Sequence, residues 1–294
     1  VFIKSRLRIN NDSIFGFFTH FILILWILLI LFPLFYIVMS SFSTNAELLS
    51  RGFILIPHKF SVGSYRYLAS NKNFINSFKN AVIITTFGTF FSITITTLMA
   101  YGLAKRWLPG RKIINFLVLF TMLFGGGMIP TYLIVKSLRL VNSYWAIWCL
   151  NAVAPFNMIV MKNFFLNMAQ ELEDAAKIDG CGEWKLFLRI IIPLAKPVIA
   201  TFILYYMVSY WNSYFQAILY LNSSSRWPLQ VYLRSMLIES GDSNSMMQAE
   251  SGGFEFGLPV KMAAVVITAV PLLVIYPFFQ KYFVQGVMLG SVKG

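Results

Sequence analysis

Apolar residues run almost unbroken through six stretches of this chain, 14–42, 78–104, 113–135, 144–166, 197–220 and 259–283, and polar residues collect between them. The runs are continuous rather than alternating, and each reaches about the 20 residues that a helix needs to cross a bilayer core. Backbone groups in lipid must be hydrogen-bonded within the chain, so such runs predict helices and not strands. The expected fold class is an all-α membrane protein, one transmembrane domain over 1–294 with six spanning helices. The first run far exceeds the roughly 7–15 apolar residues of a signal-peptide core. It also lacks an Ala-x-Ala ending, so it is read as a retained span. Within the third run, Gly125–Gly127 and Pro130 are expected to break or kink the helix.

Composition removes several function classes. Of 294 residues 58% are hydrophobic and only 12% charged, against about 25% charged in a soluble domain. The formal net charge is +13, but no basic stripe interleaved with aromatics is present, which argues against nucleic acid as a partner. The basic residues instead gather in short connections, where they orient helices by the positive-inside rule. Lys4, Arg6 and Arg8, the 105–112 connection, the 162–196 segment and the tail fall on one side, fourteen of the 24 basic residues in all. Both termini and the 162–196 segment are therefore assigned to the cytoplasm of a multi-pass protein. On the outer side, 43–77 carries Pro57, Tyr65 and Phe74 and is apolar enough to pack as a small cap. Residues 216–258, with Ser223–Ser225 and the acidic Glu239, Asp242, Glu250 and Glu255, read as a protruding loop.

The chemistry inside the runs is sparse. Cys149 lies in an apolar run and Cys181 in a polar segment, and His20 and His58 do not form a ligand set. No metal and no cofactor is expected on this chain. An intramembrane enzyme needs an ionisable or nucleophilic cluster within its spans, and none is present. An ion-coupled transporter needs acidic residues near the midplane, yet all eleven Asp and Glu lie outside the apolar runs. No Gly-rich Lys-Ser/Thr loop occurs, so the chain is not itself an ATPase. Energy must reach it through a partner.

The segment suited to such a contact is 167–196, a charged island between two apolar runs. Leu172 to Ile178 is a good helix former. Glu171, Glu173 and Asp174 crowd its first turn, where they complement the helix dipole. Gly180 can take the left-handed conformation that ends a helix. A second amphipathic turn from Trp184 to Ile192 gathers Leu186, Phe187 and Ile190 on one side, and Pro193 and Pro197 lead into the next run. Two short helices with a sharp bend are expected. Composition alone leaves open an interfacial helix pair that merely closes a loop.

The pattern narrows this. Asp174-Ala175-Ala176, three residues, Gly180, nine residues, then Ile190-Ile191-Ile192-Pro193 resembles the EAA loop of ATP-binding-cassette (ABC) importer permeases. Asp174 stands where that family usually has Glu, and Ile192 where it has Leu. Gly125-Gly126-Gly127-Met128-Ile129-Pro130-Thr131-Tyr132, Lys162-Asn163-Phe164-Phe165 and the tail from Gln280 to Gly294 are similar to carbohydrate-uptake permeases of the maltose-transporter type. The chain looks like their shorter, six-helix subunit, in the lipoprotein-associated oligosaccharide branch. The resemblance implies the ABC type I importer fold with a cytoplasmic EAA coupling-helix loop, in the bacterial cytoplasmic membrane. It also implies a heterodimer with a second permease, two ATPase subunits that bind the ATP and Mg, and an external solute-binding protein that delivers an oligosaccharide. On this reading Glu173, Asp174, Ala175, Ala176, Asp179, Gly180 and Pro193 couple to an ATPase subunit. Gln285, Gly286 and Lys293 are expected to reach the ATPase pair from the tail.

A solute path is sought in the fifth run. At 100° per residue, Thr201, Tyr205, Ser209, Asn212 and Gln216 fall within about 80° of arc. Polar groups at this depth face protein or water rather than lipid. Hydroxyls, an amide and a phenol suit a neutral polyhydroxylated ligand, and Tyr206, Tyr210, Trp211 and Tyr214 on the same helix are candidates to stack on sugar rings. Interhelical hydrogen bonding is the competing reading for Thr201 and Ser209. The threonines of the second run are spread around the helix and are read mainly as packing. Arg226 and Arg234, on the outer side, leave uronate-containing oligosaccharides open. The alternative is a permease for a different polar solute, with an ion-coupled secondary transporter much further off.

Overall fold

The computed structural model describes residues 11–168, 170–238 and 257–291. Helix dominates, and no strand occurs among the described residues. Among the described residues three helices are long and apolar enough to cross a membrane, or up to five if two bent pairs each count as one span. The chain divides into two compact units, 1–70 with 239–267, and 71–238 with 268–294.

The first unit contains α1 (Asn11–Ser41), α2 (Asn45–Arg51), α3 (Gly63–Ser70) and the opening turns of α15 (Leu258–Ser291). Within Phe18–Ser41 of α1 the most apolar 18 residues have a mean hydropathy of 3.0 and none of them is buried, a surface fit for lipid rather than water. After α1 the chain turns into a small aromatic cluster. The Phe42 ring lies 5.0 Å from that of Tyr65, whose hydroxyl is 2.6 Å from Ser41 Oγ. Thr44 caps α2 by accepting from the Glu47 amide, and the Glu47 carboxylate in turn accepts from the His58 amide at 2.8 Å. These bonds give 43–70 an internal order that its length alone does not promise. Of the expected outer loop 216–258, residues 239–256 lie outside the described residues.

The second unit is built around α4 (Lys72–Ala104), which begins where Asn71 Oδ1 accepts from the Phe74 amide at 3.0 Å. It packs mainly against α8 (Pro155–Leu166) and α12 (Lys196–Trp211). Three of the expected continuous runs are broken. The first break is the anticipated one: α5 (Arg111–Leu123) stops before Gly125–Gly127, and α6 (Met128–Ser137) starts after Gly127 at φ +81°. Pro130 falls in the first turn of α6, where a missing N–H costs nothing. The second separates α7 (Tyr144–Leu150) from α8 by a 49° bend. The third parts α12 from α13 (Tyr214–Tyr220) at Asn212–Ser213. The expected outer loop contains a helix where it is described, α14 (Leu229–Ile238), which follows a short turn at Ser224–Arg226. Asn80 Nδ2 holds that turn to α4 by donating to the Ser225 and Trp227 carbonyls at 2.8 and 3.1 Å.

The break between α7 and α8 frees backbone groups that need partners in a low-dielectric interior. α4 and α12 supply them. The Tyr210 hydroxyl lies 2.7 Å from Ser92 Oγ, which donates to the Asn151 carbonyl at 3.0 Å. The Ala154 amide donates to the Tyr206 hydroxyl at 3.0 Å, itself 2.7 Å from Thr96 Oγ1. Trp148 Nε1 donates to the Ile84 carbonyl at 3.1 Å. Gly88 makes this approach possible. A Cβ there would sit 2.8 Å from the Tyr210 ring and 2.9 Å from Trp148.

Candidate functional site

The 167–196 island folds as a bent knuckle. Its first arm is α9 (Gln170–Ile178), which ends at Gly180 with φ +73° while the Cys181 amide returns to the Ala176 carbonyl at 2.9 Å. A non-glycine residue would be strained at that φ. The second arm is α10 (Glu183–Leu186), followed by a π-helical turn over Phe187–Ile191 and a last turn, α11 (Ile192–Leu194). This arm meets α12 at 79°. Leu186, Phe187 and Ile191 are buried, and Ile190 is half-buried. The knuckle therefore rests on its apolar side.

Its charged side is not uniform. The Glu173 carboxylate accepts from Lys105 Nζ, the first residue past α4, and both side chains are nearly out of solvent, at 13% and 10% exposure. Lys105 Nζ also lies 4.2 Å from the centroid of the Tyr101 ring, which packs 4.7 Å from Phe187. The Arg111 side chain closes the turn after α4 by donating to the Leu103 carbonyl at 2.8 Å. A cavity of about 350 Å³ opens beside this pair, lined by Ala104, Trp107, Phe165 and Met168 among others. Ala176 is buried, whereas Asp174, Ala175, Asp179, Gly180 and Pro193 are exposed. Glu173 is thus engaged within the chain, whereas its neighbour Asp174, like Asp179, faces outward. Around it Ile178 and Trp184 stand 86% and 70% exposed, large apolar groups that invite a covering surface. In the tail, the backbone of α15 continues through Gln285 and Gly286, and Lys293 lies outside the described residues.

The polar stripe of the fifth run resolves into distinct environments. Tyr205, Ser209 and Asn212 are exposed, and Thr201 is half-buried with its hydroxyl donating to the Pro197 carbonyl at 2.9 Å. Gln216 sits beyond the α12–α13 break and exchanges amide hydrogen bonds with Asn151. Tyr210 and Trp211 lie elsewhere. Both are buried, Tyr210 on Ser92 and Trp211 donating Nε1–H to the Thr268 carbonyl at 3.1 Å. Their rings brace the helix pair, so the exposed polar side chains of this stripe are Tyr205, Ser209 and Asn212. Sequence reasoning missed Lys105, Asn151 and Gln230. The first two are brought in by residues 68 and 65 positions away, and nothing local signals them.

Residues 97–289 match the family described as the binding-protein-dependent transport system inner membrane component. The chain belongs to that family. It is a membrane-embedded transport component, the permease part of ABC importers, and its helical fold is that of the type I importers. Over 288 residues it is 46% identical to the polygalacturonan/rhamnogalacturonan transport system permease protein YtcP of Bacillus subtilis (strain 168), covering 98% of this chain and 99% of that protein. It is 30% identical over 272 residues to the arabinooligosaccharides transport system permease protein AraQ of the same organism, covering 91% and 92%. Among solved structures, a chain of a bacterial ABC transporter involved in the import of the acidic polysaccharide alginate is similar with a TM-score of 0.86 and 31% identity, over 95% of this chain and 100% of that one.

Proposed function

We propose that this permease imports oligosaccharides by alternating access, as a heterodimer with a second permease driven by two ATPase subunits that bind ATP and Mg. An external solute-binding protein delivers the cargo. The six apolar runs then all cross the bilayer, the broken ones as bent spans, with both termini and the 167–196 knuckle in the cytoplasm. The sugar-transport names of the relatives support the solute class, and the neutral polar face of α12 suits it. Gln285, Gly286 and Lys293 give the tail a place against the ATPase pair.

The observation that carries the mechanism is the division of labour between Glu173 and Asp174. Glu173 fastens α9 to the end of α4 through Lys105, and α4 packs along α12, which carries the polar stripe. Asp174 and the apolar Ile178 and Trp184 stay outward for the ATPase. A push on α9 is therefore delivered to the helix that supports the solute face, and the bend at Gly180 keeps the knuckle compact. The transporter purified through a tag on this chain should retain both ATPase subunits, and Asp174→Lys should lose them while keeping the second permease. An undiminished ATPase yield with Asp174→Lys would refute the docking role.

A further inference from the structure

A cation lies near the Asn212 end of the polar stripe. Asn212 follows the last residue of α12, and its Oδ1 accepts from Nε2 of Gln230 on α14 at 3.2 Å. One turn further along α14, the guanidinium carbon of Arg234 lies 4.5 Å from the ring centroid of Tyr214, the first residue of α13. Three helices of the second unit thus converge on Asn212, Tyr214, Gln230 and Arg234. Arg234 is exposed, and no carboxylate among the described residues pairs with it, the ion pairs being Arg51 with Glu47 and Lys105 with Glu173. Arg226, the other basic residue of this region, differs because its guanidinium donates to the Asn142 carbonyl.

The physical consequence is specific. Stacking on an aromatic face restrains the guanidinium but does not consume its in-plane N–H donors, which form a rigid fork matched to a carboxylate. Gln230 and Asn212 add neutral amide groups on the same surface, Gln230 donating to Asn212 and Asn212 donating to the Val208 carbonyl at 3.0 Å. Ser209 and Tyr205 continue the polar surface along α12. Among the described residues of this surface Arg234 meets no carboxylate, and a guanidinium so placed favours an anionic group over a neutral one.

We infer that Arg234, stacked on Tyr214 and flanked by Gln230 and Asn212, is a carboxylate subsite, and that the cargo is an oligosaccharide bearing uronate residues. The inference rests on the oligosaccharide reading above and narrows it.

The test is uptake by cells that carry the native partner proteins, with trigalacturonate and its uncharged counterpart, α-1,4-galactotriose, as probes. Loss of one charge-assisted contact corresponds to about a tenfold effect. Arg234→Gln should slow trigalacturonate uptake about tenfold, with membrane levels of the complex unchanged and any galactotriose uptake altered less than twofold. Arg234→Lys, which keeps the charge without the fork, should retain more trigalacturonate uptake than the Gln variant. Wild-type trigalacturonate uptake in Arg234→Gln overturns the inference, as does an equal loss for both trimers. If wild-type cells take up galactotriose but not trigalacturonate, the subsite falls and the oligosaccharide reading stands. If they take up neither, the oligosaccharide reading fails and takes the subsite with it.

Discussion

Replacing Glu173 with Gln keeps the shape of the side chain and removes the charge that Lys105 holds at the foot of α4. The pair is almost enclosed, with Lys105 10% and Glu173 13% exposed. Breaking a fully buried pair by removing one partner costs about 3–5 kcal/mol, because the remaining charge is left uncompensated. Two features soften that here. A tenth of the lysine still reaches solvent, and the Tyr101 ring 4.2 Å from Nζ gives back about 0.5–2 kcal/mol of cation–π attraction. The net loss is about 2 kcal/mol, or about 30-fold in the equilibrium between docked and released α9. Amide hydrogen exchange in α9 reports that equilibrium as a local opening. Glu173→Gln should speed exchange of the α9 amides about 30-fold, or up to the rate of an unstructured peptide if that limit is met first. The double variant Lys105→Met, Glu173→Leu should restore most of the protection, because an apolar pair of similar volume leaves no charge behind. Exchange within twofold of wild type in Glu173→Gln would refute the claim that this pair fastens α9.

Other expectations follow from single contacts. Asn212→Ala and Tyr205→Ala should each impair uptake without lowering membrane levels of the complex, and wild-type rates in both would remove α12 from the solute path. Gly88→Ala forces a methyl to within about 3 Å of Tyr210 and Trp148. Overpacking of this kind costs about 1–3 kcal/mol, which should appear as a lower unfolding temperature in detergent; an unchanged temperature would mean that α4 and α12 part easily. Tyr206→Phe removes the hydroxyl that accepts from the Ala154 amide at the α7–α8 break. A fully buried unsatisfied amide costs about 1–3 kcal/mol; the Ala154 amide is part-buried, so a loss toward the lower end should register in the same thermal assay.

Much of the helical plan was legible because hydropathy is a local signal. The apolar runs match helical stretches, and Gly125–Gly127 announced the break between α5 and α6 with a chemistry that needs no tertiary context. The break between α7 and α8 carries a fainter mark, Pro155 at the first position of α8, which has no N–H to bond back into α7. Its residues Asn151 to Ala154 are mostly apolar, and what stabilises it is Ser92, Thr96, Tyr206 and Tyr210 arriving from distant helices. The same packing explains Tyr210 and Trp211. They were read as ligand-facing because they lie near the polar stripe in sequence, but α4 presents Gly88 and Ser92 to Tyr210 and draws that ring inward. Glu173 and Asp174 are adjacent carboxylates in one acidic turn, and only the position of Lys105 after α4 tells them apart. α14 was foreseeable. Leu229, Tyr232 and Met236, all buried, recur at helical spacing within the stretch read as a loop.

The central claim is that this permease moves its solute only when an ATPase partner drives the 167–196 knuckle. It is tested most directly by reconstituting the permease pair in proteoliposomes with the external binding protein and labelled trigalacturonate, with and without the ATPase subunits. ATP supplied on the side of the knuckle should drive accumulation when the ATPases are present, and none should occur when they are omitted. Equal accumulation in their absence would contradict the account.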